Sequence, residues 1–168
     1  GLDDLDMGPQ VTENELQSTL DYVDRAADNG GTILTGGAAI NLPHAPHGHF
    51  VAPTVISDVS PGDEIAQEEV FGPVLAVITV DSFEESVAVA NGVKYGLSAS
   101  IVTGDLSEAK QFADQAEAGV VKVNEKTTGL ELHAPFGGFK DSSTNTYREQ
   151  GDAGLDFFST TKTIYANY

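Results

Sequence analysis

Residues 67–74, QEEVFGPV, set two consecutive carboxylates, Glu68 and Glu69, just ahead of Phe71 and a Gly-Pro break. A carboxylate accepts two hydrogen bonds side by side, which suits the vicinal hydroxyls of a ribose, and an aromatic two residues on can lie against a flat heteroaromatic ring. Ribose beside such a ring describes a nicotinamide nucleoside. The same residues also read as solvated acids at a turn or helix end, with no ligand at all.

Other segments offer weaker chemistry. PHAPHGH brings His44, His47 and His49 within six residues, close enough to share a zinc or nickel ion. No carboxylate or thiolate is interleaved, however, and the prolines and glycine mark a surface loop, so no metal site is expected. APFGGFK, 134–140, could cradle a phosphate with glycine amides, but it lacks the preceding strand and following helix, and a tight turn between two aromatics is favoured. His133 could polarise a carbonyl and equally reads as solvent-exposed. TTGLEL, 127–132, with Thr127 and Thr128, reads as sequence simply as a loop with one glycine. There is no Gly-rich dinucleotide fingerprint, Walker loop, GxSxG elbow or HExxH helix.

The 168 residues suffice for one domain with its own core, and the 40% hydrophobic content is that of a globular protein. No apolar run approaches the roughly 18 residues that would cross a bilayer. The opening GLDDLDMGPQ has neither a basic nor an apolar signal region, which predicts an intracellular, cytoplasmic product. Cysteine is absent, excluding disulfides, thiolate metal sites and a cysteine nucleophile from this chain. Eight Lys and Arg against 26 Asp and Glu give a formal charge of −18, which repels nucleic acid and anionic membranes. Acids spread over every segment point to a surface that needs high ionic strength, hence to a halophilic source.

Positioning elements follow from the patterns. Thr12 with Glu15 forms a capping box, and Leu16, Leu20, Val23 and Ala27 share a helical face up to Asn29-Gly30-Gly31. Strands are expected at 32–35, 50–56, 74–80, 97–103 and 120–124, and a short helix within 61–69. Ser82 with Glu85 caps a helix bearing Phe83, Val87 and Ala90; Asp105 with Glu108 caps another bearing Leu106, Ala109, Phe112, Ala113 and Ala116. Strands separated by helices imply parallel pairing through crossovers, an α/β layered fold. The Thr, Gly and Ser-rich segment 125–146 reads as a loop, followed by a short helix near 147–156 and a β-prone tail, STTKTIYANY.

EEVFGPV, then VANGVKYGLSASIVTGDLSEAKQFADQAEAGVVKVN, then APFGGFK resemble, in order and spacing, the C-terminal part of an NAD(P)-dependent aldehyde dehydrogenase. Within that superfamily, NEKTTGLELHAPFGGFKDSSTNTYREQG resembles the archaeal semialdehyde dehydrogenases that oxidise 2,5-dioxopentanoate (α-ketoglutarate semialdehyde). The resemblance implies that Glu69 binds the nicotinamide ribose and Phe71 positions the nicotinamide of NAD or NADP. It implies that Asn124 closes the strand leading into a substrate loop holding Thr127 and Thr128, and that Phe136 lies near the substrate channel. Glu149, beside Arg148, matches a glutamate in a water or proton path to the nucleophile.

The family attacks an aldehyde with a cysteine thiolate and hydrolyses the resulting thioester. With no cysteine, this chain is expected to be a fragment, inactive alone, lacking the nucleophile and the Gly-rich cofactor domain. The implied architecture is the C-terminal half of a parallel-sheet catalytic domain over 1–146, then a C-terminal helix and oligomerisation strand over 147–168, pairing subunits into a homodimer or homotetramer. A noncatalytic α/β binding or assembly module built on the same fold is the alternative.

Overall fold

The computed structural model describes residues 7–144 and 148–168. They fall into two compact units, Gly1–Asp81 and Ser82–Tyr168. The expected boundary between 146 and 147 lies outside the described residues.

In the first unit, α1 (Glu13–Asp28) starts where the capping signal places it: the Thr12 hydroxyl accepts from the Glu15 amide at 3.2 Å. Val23 of the expected stripe is buried, but its buried companions are Thr19 and Ala26, while Leu16, Leu20 and Ala27 flank them half-buried. Thr19 tolerates burial because its hydroxyl donates to the Glu15 carbonyl at 2.9 Å, inside its own helix.

β1 (Thr32–Thr35) follows, then β2 (Ala39–Leu42), β3 (Ala45–Val51) and β4 (Thr54–Ser57). β2 and β3 form an antiparallel hairpin, with Ile40 opposite Phe50, in a region the Gly, Pro and His content marks as a loop. α2 (Glu64–Gln67) then leads to β5 (Val74–Ala76). The sheet order is β1-β4-β5, β4 and β5 running parallel across α2 as expected, but β1 and β4 running antiparallel. The sheet is therefore mixed rather than wholly parallel. β5 is shorter than the apolar run 74–80, since its ladder to β4 ends at Ala76.

Val23 and Ala26 of α1 meet Ile56 of β4, Val59 and Ile65 in one core, which Val70 and Val74 border. Fully burying a side chain such as Ile56 contributes about 1.5–3 kcal/mol. Outside that core, Arg25 Nε donates to Glu64 Oε2 at 2.6 Å, joining α1 to α2.

In the second unit, α3 (Phe83–Asn91) is capped by Ser82, whose hydroxyl accepts from the Glu85 amide at 3.1 Å. After β6 (Tyr95–Gly96) come β7 (Ser98–Ile101), α4 (Leu106–Gln115) and β8 (Val120–Val123), a parallel pair with a helical crossover. Asp105 caps α4 through the amides of Ser107 and Glu108. Ala109 and Phe112 are buried, but Leu106 is 85% exposed and Ala113 also faces solvent, which narrows the expected stripe. Phe83 is half-buried beside buried Val87, and Ala90 is exposed.

Within 125–146, expected to be loop throughout, β9 (Phe139–Lys140) pairs antiparallel with β6. The Lys140 ammonium donates to the carbonyls of Asn91 and Val93 at 2.6 and 3.1 Å and so closes the C-terminal end of α3. α5 spans Gly151–Phe157, later than the helix expected near 147–156. Residues 159–168 are exposed and form no ladder among the described residues. A strand exists only by pairing, and no edge of this chain takes them among the described residues. No helix among those residues is long and apolar enough to cross a membrane.

Candidate functional site

QEEVFGPV leaves α2 in extended backbone, sends Val70 to the border of the core, and turns at Phe71. Phe71 has φ +54, a left-handed conformation that is strained for an aromatic residue, and is 73% exposed. The next residue explains why it points out. A Cβ on Gly72 would lie 2.5 Å from Thr19 Cγ2 and 2.6 Å from Thr19 Oγ1, so the backbone is pressed against α1. The Pro73 carbonyl then accepts from the Thr54 amide at 2.8 Å. Inward anchors on both sides leave the Phe71 ring as the outward feature.

Glu69 is exposed, and its carboxylate takes no hydrogen bond or ion pair among the described residues. Both side chains line an open groove of ≈ 630 Å³ with Met7, Gln10, Ile65 and Glu68. A carboxylate with unfilled acceptor sites beside an exposed ring fits a nucleoside with vicinal hydroxyls and a flat base.

In the second unit the structure brings Phe136 and Glu149 together. Their backbones exchange two hydrogen bonds, at 2.6 and 2.7 Å, across the intervening loop. Both line a cavity of ≈ 190 Å³ with Ser142, Thr144 and Arg148. Arg148 donates to the Gly138 carbonyl at 2.8 Å with its guanidinium 4.8 Å from the Phe139 ring centre. The glycines of APFGGFK are packing contacts: a Cβ on Gly119 would collide with the Gly137 carbonyl, and one on Gly138 with the Ser142 carbonyl.

Asn124, at φ +55, ends β8; its amide donates to the Ile101 carbonyl at 2.8 Å and its Oδ1 accepts from the Thr103 amide at 2.9 Å. Thr127 and Thr128 are exposed on the loop that follows. Sequence reasoning missed Gln150. Its backbone (φ +66, ψ 165) occupies a region that belongs almost wholly to glycine, and its buried Oε1 has no donor among the described residues. No residue pattern signals such strain.

His44 lies in the hairpin turn, and His47 and His49 lie on β3. Among the described residues no group of three His, Cys, Asp or Glu is placed to hold a metal.

The first unit carries an outward aromatic beside an open carboxylate, and the second a glycine loop bonded to Arg148 and, through Phe136, to Glu149. The chain belongs to the aldehyde dehydrogenase family, whose model matches residues 1–164. It is 62% identical over 165 residues to the alpha-ketoglutarate semialdehyde dehydrogenase of Haloferax volcanii, covering 98% of this chain and 34% of that protein. It is 39% identical over 168 residues to the 2,5-dioxopentanoate dehydrogenase of Saccharolobus solfataricus, covering 100% of this chain and 34% of that protein. Among solved structures, the NAD+ complex of aldehyde dehydrogenase from Bacillus cereus superposes with a TM-score of 0.90 at 34% identity, over 99% of this chain and 32% of that one. The chain thus spans about a third of the length of these relatives.

Proposed function

We propose that these residues form the C-terminal part of an NAD(P)-dependent aldehyde dehydrogenase that oxidises an acidic semialdehyde, such as 2,5-dioxopentanoate, in the cytoplasm of a halophilic archaeon. The observation that carries this reading is the outward Phe71 beside the unpartnered Glu69. Bound NAD or NADP would supply the hydride acceptor. Glu69 would hold the nicotinamide ribose through its hydroxyls, and Phe71 would fix the plane of the nicotinamide. The substrate surface comprises Asn124, Thr127, Thr128 and Phe136, with Glu149 in the proton path. Similarity to two semialdehyde dehydrogenases supports the substrate class.

On this reading the nucleophilic cysteine, absent from all 168 residues, lies on sequence beyond them, and the isolated segment does not turn over aldehydes. Residues 1–146 complete the catalytic domain and 147–168 add the helix and the strand that joins a neighbouring subunit in a homodimer or homotetramer. Exposed Ile164 and Tyr165, which have no ladder among the described residues, support that pairing.

The test is Glu69→Gln in the full-length enzyme. Cofactor affinity or the hydride-transfer rate should fall by about 1–3 kcal/mol, the scale of a charge-assisted hydrogen bond. Unchanged cofactor binding and kinetics would return Glu69 to a solvated surface acid.

A further inference from the structure

Residues 125–130 form an exposed loop that has no regular structure. Among the described residues, every hydrogen bond holding it comes from two side chains. Lys122 Nζ donates to the carbonyls of Thr128 and Gly129 at 3.0 and 2.8 Å. Ser100 Oγ donates to the Glu125 carbonyl at 2.5 Å. These two residues are register partners across the parallel β7–β8 pair, so the clamp springs from one rung of a sheet. Gly129 turns at φ +93 directly over the ammonium, where a Cβ would stand 3.8 Å from Nζ. A cavity of ≈ 190 Å³ beneath the loop is walled by Lys122, Glu125, Gly129, Leu130, Phe136 and Gln150.

We propose that Lys122 is a positioning residue for substrate recognition: its ammonium fixes the 127–129 backbone so that Thr127 and Thr128 meet an acidic semialdehyde in one geometry. The inference rests on the substrate-loop reading above. A loop tied by two carbonyls to one cation has few alternatives while the cation is present and many once it is gone, because free loop residues regain their conformational freedom. Lysine suits the task by reaching along its stem from a strand and offering three donors, of which two are used here.

The experiment uses the full-length enzyme with Lys122→Met, Lys122→Arg and Thr128→Ala. Lys122→Met should raise KM for 2,5-dioxopentanoate about tenfold, with kcat changed less than about threefold and KM for a neutral aldehyde of similar length changed less. Amide hydrogen exchange at 126–130 in the unliganded enzyme should quicken by about tenfold in the same variant. Lys122→Arg, which keeps the charge and the fold, should recover most of both effects. A KM for the acidic substrate that is unchanged in Lys122→Met overturns the proposal. Thr128→Ala then shows how much falls with it: a selective KM rise there confines the failure to the clamp, and no rise removes the whole loop from substrate recognition.

Discussion

The guanidinium of Arg148 lies 4.8 Å above the ring centre of Phe139 while one of its amines bonds the Gly138 carbonyl at 2.8 Å. One cation thus grips a glycine loop through a planar stack and a directed hydrogen bond. Lysine cannot reproduce both. Arg148→Lys should lower stability by about 1 kcal/mol and Arg148→Ala by about 2 kcal/mol, from the lost cation–π contact and charged hydrogen bond. Thermal unfolding of the full-length variants checks the order; equal midpoints for wild type and Arg148→Ala would refute it.

Gly72 against Thr19 gives a second prediction. Gly72→Ala should cost about 1–3 kcal/mol by overpacking, and cofactor affinity should fall with it because the adjacent Phe71 loses its anchor. Thr19→Ala removes the atoms at 2.5 and 2.6 Å. The double variant should therefore be more stable than the sum of the single losses implies, a coupling of about 0.5 kcal/mol or more. Strict additivity would show that the contact does not govern the turn.

Asp58, at φ +59, has its carboxyl held below the ordinary carboxylate value, first by the hydrogen bond with Thr32 and then by the Ser57 hydroxyl, with burial opposing weakly. A lowered folded value means the unfolded chain binds the proton more readily. The stabilisation is therefore complete above the ordinary Asp value of 3.8 and disappears as pH falls through the lower folded value. Asp58→Asn keeps a residue tolerant of the left-handed region. Its stability deficit relative to wild type should be present near neutral pH and shrink below pH ~4. A deficit that does not change between neutral pH and the acid limb would dissociate Asp58 from acid sensitivity.

Charge gives the fourth. Arg25 is the only Lys or Arg before Lys94, so acids face one another over the first unit with little compensation. Raising salt to about 1 M shortens the screening length to about 3 Å. The unfolding midpoint should climb on the order of 5–10 °C between dilute buffer and molar salt. A midpoint that falls or stays level would remove the case for a salt-adapted surface.

The three helix starts were legible because a cap is local: Thr12, Ser82 and Asp105 need only an amide two or three residues ahead. Features that depend on distant partners were not. The β2–β3 hairpin is disguised by Pro43, Pro46 and Gly48, residues that ordinarily mark loops, and Pro46 is accommodated because the other edge of β3 is met, among the described residues, by Gln10 at His49 and not at Pro46. The direction of β1 against β4 has no local signature, which is why a parallel sheet was expected where a mixed one forms. The exposed Phe71 and Glu69 were visible as residue types, whereas the contact that turns Phe71 outward involves Thr19, far away along the chain. Phe136 and Glu149 were each noticed singly; their backbone pairing needed the fold.

Gly119 and Gly137 touch backbone to backbone, with no room for a Cβ on Gly119. Every single-nucleotide missense change of a glycine codon adds a side chain, since no amino acid is smaller. Position 119 thus has no neutral missense step, and drift in this loop must pass through its neighbours instead. A saturation library should recover almost nothing but the parent residue there, even under selection too weak to notice changes on the acidic surface.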